Sequence, residues 1–558
     1  MEAHPRRATL LILLCLFTVV WFAGLDYRDL IRPDEGRYAE IAREMLATGD
    51  WLTPRLNGFK YFEKPALQYW ATAGAFSLFG VDEWTARLWT ALTGFGGVLL
   101  VYFTGMRLYG RRAGLYAAAV LAGSFLYAFI GHFNTLDMGL SFFLTLALCA
   151  FLLGQMETET RHRAPAGRGQ HAWMLLAWAA AALAVLSKGL VGAVLPAGAL
   201  VVYLLWQRDG TLLRRLHLLA GGAVFLALAA PWFIAVSLEN KEFFHFFFIH
   251  EHFERFLTKQ HGRYEPPWYF IPVLLAGMAP WTLSLLAALK AAFAKTTARF
   301  QPARFLLAWS AFILLFFSAS GSKLPSYILP MLPALALLIG PYLAAAERRV
   351  LLWQGLPFAG VGLAILLLAP RTVNRASADL PHELLANYVG WIEWTGISLL
   401  AAALVSALFE WRGRRTAAVI SLAAGGLALA QLPLTGHQEL GSVYSAADII
   451  KAVKPRLKPD LPFYSVNTFD HTLPFYLGRT VTMVHYRDEL ATAIDWEAHK
   501  FLPDMAAFER AWTAHAEAYA VFAPNDFRQL PAELKSSMQV LAQDPRRVIV
   551  ARTPPAAP

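Results

Sequence analysis

The stretch Thr9-Leu-Leu-Ile-Leu-Leu-Cys-Leu-Phe-Thr-Val-Val-Trp-Phe-Ala23 follows Arg6 and Arg7 and holds no charged residue. Comparable runs at Met174–Leu186 and Phe358–Ala369 recur between short charged segments. A bilayer core asks roughly 17–25 apolar residues of a spanning helix, so the chain reads as a polytopic α-helical membrane protein. Composition agrees: of 558 residues, 57% are hydrophobic and 16% charged, against about a quarter charged in soluble domains. No small-x-small cleavage site follows the first run before Asp26, which predicts an uncleaved signal anchor. The two cysteines, Cys15 and Cys149, lie inside apolar runs, so neither a disulfide framework nor a cysteine metal site is expected.

The net charge of +10 does not indicate nucleic acid, because the basic residues collect in short connections. These are Arg6–Arg7, Arg111–Arg112, Arg161–Arg168, Arg208–Arg215, Lys290–Arg304, Arg348–Arg349 and Arg412–Arg415. Simple alternation of about thirteen spans puts all of them on one side, the positive-inside pattern. The N-terminus is then cytoplasmic and the C-terminus outside. The outer face carries a loop over about 26–87, a turn at Asn134–Asp137, a loop over about 239–268, and a tail. The division expected is a membrane portion over 1–434 and an outer domain over 435–558. Helical patterns in that tail (Ala446–Leu457, Leu502–Ala514) alternate with β-rich runs (Pro462–Val466, Thr480–Val484, Ala518–Phe522, Arg547–Ala551), which predicts a small α/β domain. It has no glycine fingerprint for a nucleotide, so no catalytic role is expected of it.

The residues suited to chemistry lie in the outer loops. In the first, Tyr38, Ile41, Ala42, Met45 and Leu46 recur at helical spacing, which predicts an amphipathic helix on the membrane surface, capped by Gly49. Asp34 and Glu35 stand at its start, and Asp34 suits an N-cap, a role compatible with fixing a reactive carboxylate. Lys64, Lys188 and Lys323 lie at outer ends of spans, against the positive-inside bias. Each alone is a snorkelling interfacial lysine; together they invite an anionic ligand. Asp137 opens a span with its N-terminus outward, favourable by helix dipole alone and also a second carboxylate at the face of Asp34. In the third loop Phe244, Phe248, Glu251 and Arg255 share a helical face, where Glu251 and Arg255 form at least an i,i+4 pair. His250-x-His252 is poor metal spacing on a helix, but His250 with Glu63 would make a divalent-metal site. The phenylalanine run Phe246–Phe248 reads as membrane-seated packing. No organic cofactor is called for.

Carboxylates, lysines and an arginine at one outer face suit transfer of a sugar from a lipid phosphate. The leaving phosphate gains charge as the glycosidic bond breaks, and fixed cations stabilise it. Carboxylates orient the sugar or stand beside an oxocarbenium-like centre. A nucleotide-sugar donor is disfavoured, since its supply is cytoplasmic.

Pro33-Asp-Glu-Gly-Arg-Tyr-Ala-Glu-Ile-Ala-Arg-Glu-Met45, Gly49-Asp-Trp51 and Tyr61-Phe-Glu-Lys-Pro65 resemble the first outer loop of the aminoarabinose lipid A transferases, GT-C-fold relatives of protein O-mannosyltransferases. Glu251-His-Phe-Glu-Arg-Phe256 and Ser322-Lys-Leu-Pro-Ser-Tyr-Ile-Leu-Pro330 are similar to two further blocks, and the resemblance is weak in the tail. It implies transfer of 4-amino-4-deoxy-L-arabinose from undecaprenyl phosphate to a lipid A phosphate at the periplasmic face of a bacterial inner membrane, which lowers affinity for cationic peptides such as polymyxin. It also implies Asp34, Glu35 and Asp137 as catalytic carboxylates, and Lys64, Arg255 and Lys323 as carrier-phosphate ligands. Arg37, Tyr38, Tyr61 and Tyr327 would line the cavity. Gly36 leaves no third polar group beside Asp34-Glu35. Two alternatives stand beside this reading: a relative passing another polyprenyl-linked sugar to a protein or glycan, and a lipid transporter or flippase. Transporters usually place polar groups near the midplane and carry repeats, and neither feature is visible.

Overall fold

Apolar runs without polar interruption satisfy their backbone groups inside a bilayer only as helices, and a computed structural model of the chain is correspondingly helical. It describes residues 7–160, 168–208, 210–254, 265–294, 299–347, 349–377 and 380–552. In order come α1 (Arg7–Phe22), α2 (Asp34–Thr48), the strands β1 (Arg55–Leu56) and β2 (Phe59–Lys60), and α3 (Leu67–Phe79). Then follow α4 (Glu83–Tyr109), α5 (Arg111–Ala122), α6 (Phe125–Ile130), α7 (Leu136–Thr160), α8 (Arg168–Lys188), α9 (Val191–Gln207) and α10 (Leu218–Glu239). Among the described residues, 9 helices are long and apolar enough to cross a membrane, 10 if Phe270–Gly277 and Thr282–Ala292, bent by 108°, form one span. The sequence count of about thirteen also takes in the shorter apolar helices α1 and α9 and the broken pair α5–α6.

Close backbone approach builds the bundle. A Cβ on Gly123, in the break between α5 and α6, would lie 2.5 Å from Ala423 Cα, and one on Gly426 would lie 1.9 Å from the Gly123 carbonyl oxygen. Small residues let helix Arg415–Gly436 seat directly on α5–α6, as is usual between membrane helices. Tyr116, Tyr127, Trp281 and Trp309 are buried in this apolar core.

The outer layer has a core of its own, drawn from both ends of the sequence. Ile41, Met45, Phe59 and Phe62 of the first loop and Phe243 and Phe247 of the third meet Ile450, Phe463, Leu473 and Ile549 of the tail. The first loop therefore packs as one body with the tail. Helix α2 is buried from Glu35 through Met45, so it does not lie on the membrane surface: the tail covers the face that was expected to meet lipid headgroups. Asn57 and Gly58 turn the β1–β2 hairpin with positive φ at both positions (52° and 79°), the geometry that favours Asn-Gly. Asn57 then exchanges hydrogen bonds with the Val481 backbone, at 2.8 Å and 2.7 Å.

The tail is a five-stranded mixed sheet, order β4-β3-β5-β7-β6, of β3 (Phe463–Val466), β4 (Thr482–Val484), β5 (Tyr519–Phe522), β6 (Met538–Gln543) and β7 (Val548–Arg552). β3 pairs in parallel with β4 and β5, and the β5–β7–β6 pairings are antiparallel. The four β-rich runs of the sequence become strands. β6 is an additional edge strand with no buried position, so it lacks the alternation that marks a half-buried strand.

Candidate functional site

Pro33 precedes α2 in helical backbone conformation, so Asp34 is its first residue and not its N-cap. Its side chain is 40% exposed and pairs with Arg37 Nη1 at 3.1 Å. Glu35, one position on, points elsewhere, since successive helical residues are rotated by about 100°. It is fully buried and takes both guanidiniums of Arg28 and Arg87: Arg28 Nη2 at 3.1 Å with a close contact from Nη1, Arg87 Nε at 2.9 Å and Nη2 at 3.0 Å. The backbone N–H groups of Ile31 and Asn134 also donate to it, each at 3.0 Å. Burial alone would raise this carboxyl, but the two guanidiniums outweigh it and hold it well below the usual range. With its lone pairs so occupied, Glu35, where a second reacting carboxylate was expected, is placed as a clamp joining α2, α4 and the Asn134 turn.

That clamp aligns the second carboxylate. Asp137, in the first turn of α7, is in close ion-pair contact with Lys188 at the end of α8, and Lys188 Nζ lies 4.9 Å from the Tyr327 ring centre. Of the three outward lysines, Lys64 and Lys188 join carboxylates. Lys323 is buried and donates to the carbonyls of Glu265 (2.8 Å) and Ser320 (2.6 Å), so its ammonium fastens a loop.

Lys64 Nζ lies 3.2 Å from Glu251 and 4.0 Å from Glu63. Glu251 sits in a π-helical segment, His245–Glu254, and is nearly buried; its expected partner Arg255 lies outside the described residues. Burial, then the Glu251 carboxylate, raises the Glu63 pKa, and Lys64 offsets part of this. His250 Nδ1 is 3.6 Å from Glu251. Glu63, His250 and Glu251 do not form a three-donor group of metal-site size; among the described residues that description fits Asp26, Asp82 and Glu83. The ammonium of Lys64 already supplies the cation the two carboxylates need, which works against a metal at Glu63 and His250.

Tyr38 joins these groups, being buried within electrostatic reach of Asp34, Arg37, Glu63 and Asp137. The hydroxyls of Tyr61 and Tyr69 are buried without a hydrogen-bond partner, and both lie in the field of Arg37, Glu63 and Tyr38. Four carboxylates (Asp34, Glu63, Asp137 and Glu251), two lysines, an arginine and unsatisfied hydroxyls thus gather at one end of the bundle, suited to a polar, anionic ligand with sugar-like hydroxyls.

One partner comes from the tail, where no role was expected. Glu489 Oε2 lies 2.6 Å from Arg37 Nη2, and His471 Nε2 lies 2.6 Å from Glu489 Oε1. Burial opposes ionisation of Glu489, but the His471 hydrogen bond and Arg37 prevail and hold its pKa down. Gly36 makes this contact: a Cβ there would meet Thr472 Cγ2 at 2.6 Å and the His471 carbonyl at 2.8 Å. The glycine that removed a polar group beside Asp34 is thus what lets the tail reach Arg37. No local pattern in the sequence marks Glu489.

Residues 7–247 match the family model for dolichyl-phosphate-mannose-protein mannosyltransferases, and residues 449–552 match the aminoarabinose transferase C-terminal domain. The tail, where resemblance by motif is weak, is therefore a family feature. An undecaprenyl phosphate-alpha-4-amino-4-deoxy-L-arabinose arabinosyl transferase of Pseudomonas fluorescens is 35% identical over 410 residues, 71% of this chain and 72% of its own. The Erwinia tasmaniensis protein of the same name is 32% identical over 425 residues, 73% of this chain and 74% of its own. The crystal structure of ArnT from Cupriavidus metallidurans bound to undecaprenyl phosphate superposes with a TM-score of 0.90 at 37% identity, covering 99% of this chain and 100% of that one. Fold, pocket chemistry and these likenesses agree: the chain is a multi-pass membrane protein that belongs to the aminoarabinose transferase family.

Proposed function

We propose that this chain transfers 4-amino-4-deoxy-L-arabinose from undecaprenyl phosphate to a phosphate of lipid A, working at the periplasmic face of the inner membrane. The observation that carries the reading is the gathering of Asp34–Arg37, Asp137–Lys188 and Lys64–Glu251 around Tyr38 at one outer end of the bundle. Residues 1–434 supply the transferase body, and 435–558 form the outer domain that holds Arg37 through Glu489.

In the reaction, the bond between the sugar C1 and the carrier phosphate oxygen breaks, and its electron pair leaves on that oxygen. An oxygen of the lipid A phosphate forms the new bond to C1. A phosphate monoester is already anionic at neutral pH, its second pKa being about 6, so no base is needed to activate it. Lys64, with Arg255, stabilises charge on the departing carrier phosphate, worth most in a pocket shielded from water. Asp34 orients the sugar by pairing its ammonium, and Asp137 with Lys188 fixes the opposite side. Tyr38, Tyr61 and Tyr327 enclose the ring, the unsatisfied Tyr61 hydroxyl meeting a sugar hydroxyl. The product replaces one phosphate charge by an ester and adds an ammonium, so the lipid surface becomes less anionic.

The test is mass spectrometry of lipid A from a strain that makes the lipid-linked aminopentose but lacks its own transferase. A mass gain of one aminopentose with this chain, absent with empty vector, supports the reading. No gain, with the folded protein in the membrane, overturns the aminoarabinose assignment and leaves another sugar or acceptor.

A further inference from the structure

Helices α1, α4, α5 and Arg415–Gly436 line a groove of about 580 Å³. Its walls are apolar: Leu10, Leu14 and Phe17 of α1, Tyr102 of α4, Ala119 of α5, and Ala424 and Leu427 of the last helix are among them.

Contacts fix the direction of the helices around it. Trp21, near the end of α1, donates to the Ala91 carbonyl near the start of α4 (2.9 Å), while Gln431 of the last helix donates to Val20 (3.4 Å). At the opposite end, Tyr116 of α5 lies 3.1 Å from Thr416 Oγ1, and Arg112 Nε donates to the Tyr116 hydroxyl at 2.9 Å. Helices α5 and Arg415–Gly436 therefore start side by side at the end of the groove where α1 also starts. All three N-termini, the positive ends of their dipoles, face the same leaflet. Arg111, Arg412 and Arg414 are exposed at that end. Arg415 is not available with them, since Glu410 (3.0 Å) and the carbonyl of Glu347 (2.5 Å) hold it, and Glu410 is thereby neutralised.

From this geometry we infer a binding site for one anionic diacyl phospholipid of the inner leaflet, with an acyl chain in the groove and the phosphate among Arg111, Arg412 and Arg414. The apolar walls take the chain, and the arginines with the three helix N-termini take the charge. General attraction of loop arginines to an anionic leaflet would not depend on the groove, which separates the two cases.

The test is native mass spectrometry of the purified full chain with phosphatidylglycerol and phosphatidylethanolamine of matched acyl chains. Retention of phosphatidylglycerol several-fold above phosphatidylethanolamine is expected. It should fall to parity in Ala424→Phe, which fills the groove from an exposed position, and in Arg111→Gln/Arg412→Gln/Arg414→Gln. It should persist in Arg208→Gln/Arg214→Gln, which neutralises exposed arginines of another connection on the same side. If Ala424→Phe does not fold, Leu14→Trp blocks the groove from α1. Undiminished phosphatidylglycerol retention in the blocked variants, or equal loss in the Arg208/Arg214 control, overturns the site. So does a blocked variant that changes only the KM for the polyprenyl donor, which would give the groove to the carrier chain.

Discussion

In the membrane bundle, close approaches are between backbones: Gly123 meets Ala423 and Gly426 with no room for a Cβ on either glycine. In the outer layer they are between charges: Glu35 between Arg28 and Arg87, Arg43 on Glu40 at 2.6 Å, Arg37 on Glu489. Both regions are buried, yet one is held by shape and the other by compensated charge. An apolar contact tolerates small losses of volume, whereas a buried ion left without its partner costs several kcal/mol. The outer layer is thus rigid where its charges are paired, and it positions Asp34 and Arg37, which close the candidate pocket.

This contrast predicts a ranking of substitutions. Glu35→Ala should have the largest effect, about 3–5 kcal/mol, because it strands two buried guanidiniums. Thermal unfolding in detergent should then show a large drop in Tm, and an unchanged Tm would break the comparison. Gly36→Ala should cost about 1–3 kcal/mol as overpacking, and should lower transfer activity more than a surface alanine because the tail is pushed away from Arg37. Limited proteolysis of the tail reads this directly.

Acid should act on the outer layer first. Burial alone would push Asp470 up, but the Arg547 guanidinium and hydrogen bonds from Thr472 bring it down to about 2. A carboxyl lowered in the folded state stabilises above its unfolded pKa, and that stability is lost as pH falls from 3.8 toward about 2. The loss amounts to about 2 kcal/mol. Asp470→Asn should remove this part of the acid transition in near-UV circular dichroism, leaving the helical signal of the bundle unchanged. The smallest effect belongs to the bundle: Ile313→Val, fully buried, should cost about 0.5–1.5 kcal/mol with transfer kinetics intact.

The same contrast explains what the sequence could disclose. Apolar runs and one-sided arginines reveal a bundle because bilayer burial is a property of each segment taken alone. Lys64 and Asp137 drew notice because their charges stand at span ends, Asp34 because it starts an amphipathic helix between spans, and Gly49 because a left-handed cap (φ 72°) favours glycine. Glu489 and His471 were not legible, since their partner Arg37 is distant in sequence and only the fold joins them. The clamp at Glu35 was not legible, because adjacency to Asp34 in sequence suggested shared chemistry, while helical rotation separates the two side chains. Lys188 was visible as an outward lysine, but its pairing with Asp137 needed the packing of α7 on α8.

The most direct test of the account is the turnover of purified Asp34→Asn in lipid vesicles containing the undecaprenyl-linked aminopentose and lipid A, measured beside its Tm. Asp34 is partly exposed and its neighbours are held by other contacts, so the account predicts an unchanged Tm with kcat reduced by about 100-fold or more, an effect of the size seen when a positioned charged group is lost. Near-parental kcat in the folded variant would contradict it and move the chemistry away from the start of α2.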